Sequence, residues 1–161
     1  LPFRYLLDSV EKRLDIITAF DDSQWYNILF DTPRFHVINT DEGSELNIGE
    51  LTLTFAKMKH PVPDYAVKIT NGEKVFVYTG DSVLIPELID FAKGADMILS
   101  DCTKPVGFTG PHMTVSDAEK IQKQTGALLL ASHFAPSDDP YAAFAGNDRI
   151  IPVEEGNTYE I

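Results

Sequence analysis

What this sequence has little of narrows it first. Its 161 residues include one cysteine, Cys102, so no internal disulfide can form, which suits a reducing, cytoplasmic compartment. Basic residues are scarce: 13 Lys and Arg face 25 Asp and Glu, a formal net charge of −12. A surface that acidic does not grip nucleic acid by neutralising phosphates. No apolar run approaches the ~18 residues a membrane-crossing helix needs, the longest clear one being Ala127–Ala131. Gly107-Phe108-Thr109-Gly110 lacks the spacing of a glycine-rich phosphate cradle, and no Gly-x-Ser-x-Gly turn offers a serine nucleophile. Leu1-Pro2-Phe3 shows no basic stretch followed by an apolar one, so no secretory signal is read there, and the first residue is Leu rather than Met, so the chain is expected to be a piece of something longer.

What is present is globular in character. Apolar residues make up 43% of the chain, and the length fits one domain of roughly 100–200 residues, here residues 1–161. Pro2–Leu6 reads as a strand. Asp8-x-x-Glu11 has the form of a capping box, and Val10, Leu14 and Ile17 share a helical face, which predicts a helix to about Phe20. Phe35–Asn39 and the alternating Leu51, Leu53 and Phe55 read as strands. Tyr65–Ile69 and Lys74–Tyr78 flank Asn71-Gly72, the chemistry of a hairpin with a type I′ turn. Pro86–Lys93 reads as a helix stopped by Gly94, Asp96–Asp101 as a strand, and Ser116-x-x-Glu119 as a second capping box. It opens a helix to Thr125 that Gly126 closes, and Ala127–Ala131 reads as a buried strand. Strands alternating with helices after antiparallel hairpins predict an α/β (α+β layered) fold.

Chemistry-bearing residues gather at the predicted strand ends. Of four histidines, His60 follows Thr52–Met58, His112 precedes a helix in Gly110-Pro111-His112-Met113-Thr114, and His133 follows the buried strand. Asp81 ends the hairpin strand in Thr79-Gly80-Asp81-Ser82. Imidazole and carboxylate donors suit borderline divalent metals such as zinc, and one carboxylate can bridge two ions ~3.5–4 Å apart. The three ligand-type residues follow no local motif, so spacing alone leaves two readings open: a shared site, or independent loop histidines and a turn aspartate. His36, in the alternating Arg34-Phe35-His36-Val37, reads as a structural residue. Cys102 reads as a buried strand-end thiol.

Four stretches, in order, resemble the C-terminal part of the metallo-β-lactamase fold superfamily, closest to its ribonuclease Z-like and small metal-dependent hydrolase branch. His60 followed by Tyr65–Ile69 resembles the branch's histidine before an aromatic-containing strand. Val77-Tyr78-Thr79-Gly80-Asp81-Ser82 resembles its TGDT strand end, with Ser82 for Thr. His112-Met113-Thr114-x-x-Asp117-Ala118 resembles its H-x-T-x-x-E-A helix start, with Asp117 for Glu. Leu128-Leu129-Leu130-Ala131-Ser132-His133 resembles its LLLTH strand end.

The resemblance implies an αββα sandwich, incomplete here at its N-terminus, with metals at the open edge between its sheets. It implies that His60 ligates one metal, His133 a second, and Asp81 both. It also implies that His112 protonates the leaving group and that Asp101 orients His112. The cofactor would be two divalent ions, zinc first and manganese as the alternative, which generate a metal-activated hydroxide from water. The family's His-x-His-x-Asp-His loop, which supplies further ligands, is absent from this sequence, so it is expected upstream in the parent. The function expected is hydrolysis of small phosphodiesters, the charge of −12 disfavouring a large RNA, with no nucleic-acid or membrane partner and self-association into a homo-oligomer left open. The alternative is a non-catalytic binding or assembly module that keeps remnant histidines.

Overall fold

The computed structural model describes residues 13–31, 33–103, 110–135 and 138–161. The chain, expected as one domain from its length, divides into two compact units, residues 1–41 and 42–161. The expected strand Pro2–Leu6 and the Asp8–Glu11 capping box lie outside the described residues.

In the first unit, β1 (Leu14–Ala19), α1 (Gln24–Phe30) and β2 (Phe35–Thr40) form a β-α-β unit. The two strands pair in parallel, Ile16 opposite Val37 and Ile17 opposite Ile38. The helix predicted to run to Phe20 is therefore corrected to a strand from Leu14 on. Ile16, Ile17 and Thr18 are β-branched and stiff at χ1, which suits a pleated surface. The spacing of Leu14 and Ile17 only coincided with a helical period. Ser23 caps α1 by accepting from the Tyr26 N–H. His36 carries its own partner in this unit, Asp15, at 2.9 Å.

The second unit is built on one seven-stranded sheet in the order β3 (Glu45–Ile48), β4 (Leu51–Lys57), β5 (Tyr65–Thr70), β6 (Val75–Tyr78), β7 (Met97–Asp101), β8 (Leu128–Ser132) and β9 (Ile150–Pro152). β3 to β6 are antiparallel neighbours; β6 to β9 are parallel ones. The switch follows from the connections. Short turns can only return a strand antiparallel, whereas α2 (Pro86–Ala92) and α3 (Val115–Thr125) provide the crossovers that parallel pairing needs. Leu88, Ile89 and Ala92 of α2 and Ala118 and Ile121 of α3 close over Ala66, Val77, Ile98, Leu129 and Ala131 of the sheet in one buried cluster. The layered α/β expectation holds, and among the described residues no helix is long and apolar enough to cross a membrane.

Two local expectations change. The β5–β6 hairpin exists, but Thr70 pairs with Val75, so the loop has four residues. Asn71 Oδ1 accepts from the N–H groups of Glu73 and Lys74, and only Gly72 takes a positive φ there, so the turn is not type I′. The second capping box is Thr114–Asp117 rather than Ser116–Glu119. Thr114 accepts from the Asp117 N–H, and the Asp117 carboxylate accepts from the Thr114 N–H. Met113 before the cap and Ala118 in the first turn are both fully buried, and this hydrophobic pair sets where the helix can begin. Gly126 ends the helix at φ +71°, as expected.

Candidate metal centre

β4 and β6 both run antiparallel to β5, so they run parallel to each other and to β7 and β8. Their C-terminal ends therefore share one edge of the sheet. The loop after β4 carries His60, the end of β6 leads to Asp81, the last residue of β7 is Asp101, and β8 runs into His133. His112 arrives just before α3. A rigid sheet edge of this kind gathers side chains from distant parts of a chain.

The geometry is tight. One ligand atom each from Asp81, Asp101, His112 and His133 lie within 4.8 Å of one another. The His60 and His112 rings stand edge to face at 5.4 Å, and those of His112 and His133 at 4.9 Å. All five residues singled out from the sequence thus lie at this edge, and His36 belongs to the other unit.

Their availability differs, and that separates their chemical uses. The Asp101 side chain is 1% exposed. Its Oδ2 accepts from His112 Nδ1 at 2.9 Å, the Ser82 N–H at 3.3 Å and the Met113 N–H at 3.4 Å. Its Oδ1 accepts from Thr103 Oγ1 at 2.7 Å and from His133 Nδ1 at 3.2 Å. With both oxygens engaged, Asp101 has little to offer an ion. An ionised carboxylate only accepts, so pairing with it keeps a proton on Nδ1 of each histidine and leaves each Nε2 clear of Asp101. Asp81 is half-exposed and stands 3.6 Å from His133 Nδ1. His60 Nδ1 is buried without a hydrogen-bond partner. His133 takes φ +69°, a left-handed backbone that side-chain-bearing residues rarely adopt and that marks functional sites when the surroundings enforce it.

Three other residues shape the site. Ser82, fully buried, accepts from the Lys59 N–H and donates to the Val83 carbonyl, tying the His60 loop to the Asp81 loop. Thr103 bridges Asp101 and His133. The Asp64 carboxyl lies against Gly80, and its pKa is pushed up to about 6. Burial is the main cause and the Asp81 charge adds to it, against hydrogen bonding from the main chain at Tyr65 and Asp81 and the attraction of His60. Sequence reasoning gave Asp64 and Thr103 no role. Thr103 sits two residues past Asp101, but nothing local marks Asp64. Cys102 is buried and its thiol is pushed up to about 12, chiefly by burial and then by the neighbouring Asp101 charge.

Two clefts flank the cluster. One of about 440 Å³ reaches His60 and is lined by Lys59, Pro61, Val83 and Pro111. The other, about 520 Å³, reaches His133 and is acidic, with Asp138, Glu154 and Glu155 on its wall. The residues fit divalent ions. The donor set is nitrogen and carboxylate oxygen: the imidazoles of His112 and His133 meet the half-exposed Asp81 carboxylate, and the ring of His60, with its orphaned nitrogen, stands beside that of His112.

No family model matches the chain. It is 40% identical over 101 residues to a probable metallo-hydrolase, YhfI, of Bacillus subtilis strain 168, a match that covers 58% of this chain and 41% of that protein. It is 40% identical over 77 residues to a ribonuclease Z of Saccharolobus islandicus, covering 45% of this chain and 26% of that protein. The matched stretches thus span under half the length of these relatives. The crystal structure of YhfI, a metallo-β-lactamase fold protein, superposes with a TM-score of 0.78 at 29% identity over 88% of this chain and 61% of that one. A diphosphatase of the PhnP family shares the fold at a TM-score of 0.72 and 12% identity, over 90% of this chain and 57% of that one. Sequence and backbone comparisons agree: the chain has the metallo-β-lactamase fold, and its relatives are a probable metallo-hydrolase and ribonuclease Z proteins.

Proposed function

We propose that this chain carries part of the active site of a metal-dependent hydrolase that cleaves small phosphodiesters. The observation that carries the reading is the buried Asp101 carboxylate holding His112 Nδ1 at 2.9 Å and His133 Nδ1 at 3.2 Å beside the half-exposed Asp81. That arrangement supports distinct roles for two neighbouring imidazoles. His60, Asp81 and His133 would hold the divalent ions, zinc or manganese, with further ligands from the parent's upstream portion. When bound, the ions supply Lewis acidity that polarises the scissile centre and acidifies water.

The remaining work falls to the chain. His112 gives a proton from Nε2 to the departing oxygen, a contribution of about 10²–10⁴ in rate. Asp101, hydrogen-bonded to its Nδ1, stabilises the imidazolium state and fixes the ring's orientation. Lys59 on the cleft wall beside His60 offers a cation to a phosphate oxygen. The net charge of −12 repels a long polyanion, which favours a small substrate over RNA.

The test uses the protein that contains this chain, loaded with zinc or manganese, and a chromogenic phosphodiester. His112→Ala is expected to lower kcat by about 10²–10⁴ with metal content unchanged. His60→Ala and His133→Ala are expected to lose metal. Metal binding with no hydrolysis of any phosphodiester would refute the catalytic reading and favour a binding module. Cleavage of a structured RNA in preference to small diesters would overturn the substrate class.

A further inference from the structure

Among the described residues, two buried side-chain polar atoms have no hydrogen-bond partner: His60 Nδ1 and Asp64 Oδ2. Leaving either unpaired costs about 1–3 kcal/mol, so two orphans in one loop call for a common explanation. Both belong to the loop after β4, which is pinched shut where the Met58 N–H donates to the Asp64 carbonyl at 2.9 Å. The two groups are close enough to interact electrostatically. An imidazole Nδ1 can donate and a carboxylate oxygen accepts, so the pair is chemically complementary.

The carboxyl group has a second neighbour. A Cβ on Gly80 would stand 2.3 Å from Asp64 Oδ2 and 2.9 Å from its Cγ, so only glycine fits there, and Gly80 also takes φ +65°. The next residue is Asp81, whose main chain hydrogen-bonds toward the same carboxyl. Asp64 thus touches the backbone that leads to one proposed ligand and shares its loop with another.

We propose that Asp64 is a positioning residue whose Oδ2 accepts the His60 Nδ1 proton, freeing His60 Nε2 for a divalent cation, while its carboxyl group braces Gly80 and the backbone entering Asp81. The proposal rests on the reading of His60 as a metal ligand. Asp101 serves His112 and His133 in this way, and Asp64 does so for His60, the histidine of this edge that Asp101 does not touch. A carboxylate behind a ligating imidazole sets its tautomer and raises its basicity, and removing such a partner typically weakens metal affinity by about 10–100-fold.

The test is a zinc competition titration against a chromophoric chelator on the protein containing this chain, with long-range ¹H–¹⁵N spectra of its imidazoles. Asp64→Ala is expected to weaken zinc binding by about 10–100-fold and to move the His60 proton from Nδ1 to Nε2. Asp64→Asn, which keeps an acceptor oxygen, is expected to retain most of the affinity. Unchanged affinity and tautomer in Asp64→Ala, or equal losses in both variants, would overturn the proposal. If Asp64→Ala does not fold, the unsubstituted protein decides: a proton on His60 Nδ1 supports the proposal and one on Nε2 overturns it. His60→Ala separates the two levels. If it weakens zinc binding and Asp64→Ala does not, only the positioning role fails; if neither does, the metal reading of His60 fails with it.

Discussion

Asp101→Asn keeps the shape of the most connected side chain at the sheet edge and exchanges one acceptor for a donor. Three N–H groups converge on Oδ2, from His112, Ser82 and Met113, and the two main-chain ones cannot be reversed. The partners of Oδ1 are the Thr103 hydroxyl, which can rotate, and His133 Nδ1, which can give up its proton to Nε2. The asparagine amide nitrogen therefore settles at the Oδ1 position. His133 is forced into the tautomer that occupies Nε2, the nitrogen on offer to an ion. Hydrogen bonds to a charged group are worth about 1.5–3 kcal/mol against about 1 kcal/mol for neutral ones. Weakening this set costs about 2–4 kcal/mol, a drop of about 1–2 M in the urea midpoint at a slope typical of small proteins. Zinc affinity should fall by about 10–100-fold. Urea melts of the metal-free protein, zinc competition and imidazole ¹⁵N spectra read the three effects. An Asp101→Asn protein that binds zinc as the parent does, with the His133 proton still on Nδ1, would refute the reasoning.

The other predictions are simpler. Cys102, buried with its thiol pushed up to about 12, should not react with Ellman's reagent at pH 8 in the folded protein and should react in full on denaturation. Asp64 has a folded pKa of about 6 against an ordinary value of 3.8, so its contribution to stability is fully present below the unfolded value and lost as pH rises through about 6. Metal-free Asp64→Asn should show a flatter dependence of stability on pH across that window, read by urea midpoints at several pH values. Leu88, fully buried in α2, should cost about 2–5 kcal/mol when cut to Ala, measured by urea unfolding.

The parts of the fold that the sequence made legible are those governed by local chemistry. The buried run Leu129–Ala131, the Gly126 stop and the Pro86 start each act through a few neighbouring residues. The residues of the candidate site could be picked out because they sit at strand ends, where short loops position side chains, and because their order resembles that of a known family. The failures share a cause. In Leu14–Ala19 a helical spacing competed with β-branching, and β2, found only in three dimensions, decided for the strand. Thr114 and Ser116 both begin Ser/Thr-x-x-Asp/Glu patterns, and the burial of Met113 chose between them. Asp64 acts through Gly80, a contact across the sheet that no linear pattern announces.

The way β5 separates β4 from β6 has a consequence for the order of events during folding. No contiguous stretch of this chain holds more than a fragment of the site. His60 is placed only when β4 has registered on β5, Asp81 only when β6 has joined the other side, and His133 only when β8 has docked beside β7. A slip of one residue between β4 and β5 would turn every side chain of a strand to the opposite face and move the His60 loop by about 3.3 Å. An ion therefore cannot template the early steps, because the scattered imidazoles and carboxylates of the unfolded chain present no chelate. On the proposed metal reading an ion meets only a finished edge, so adding zinc should slow unfolding and leave the first folding phase at its metal-free rate.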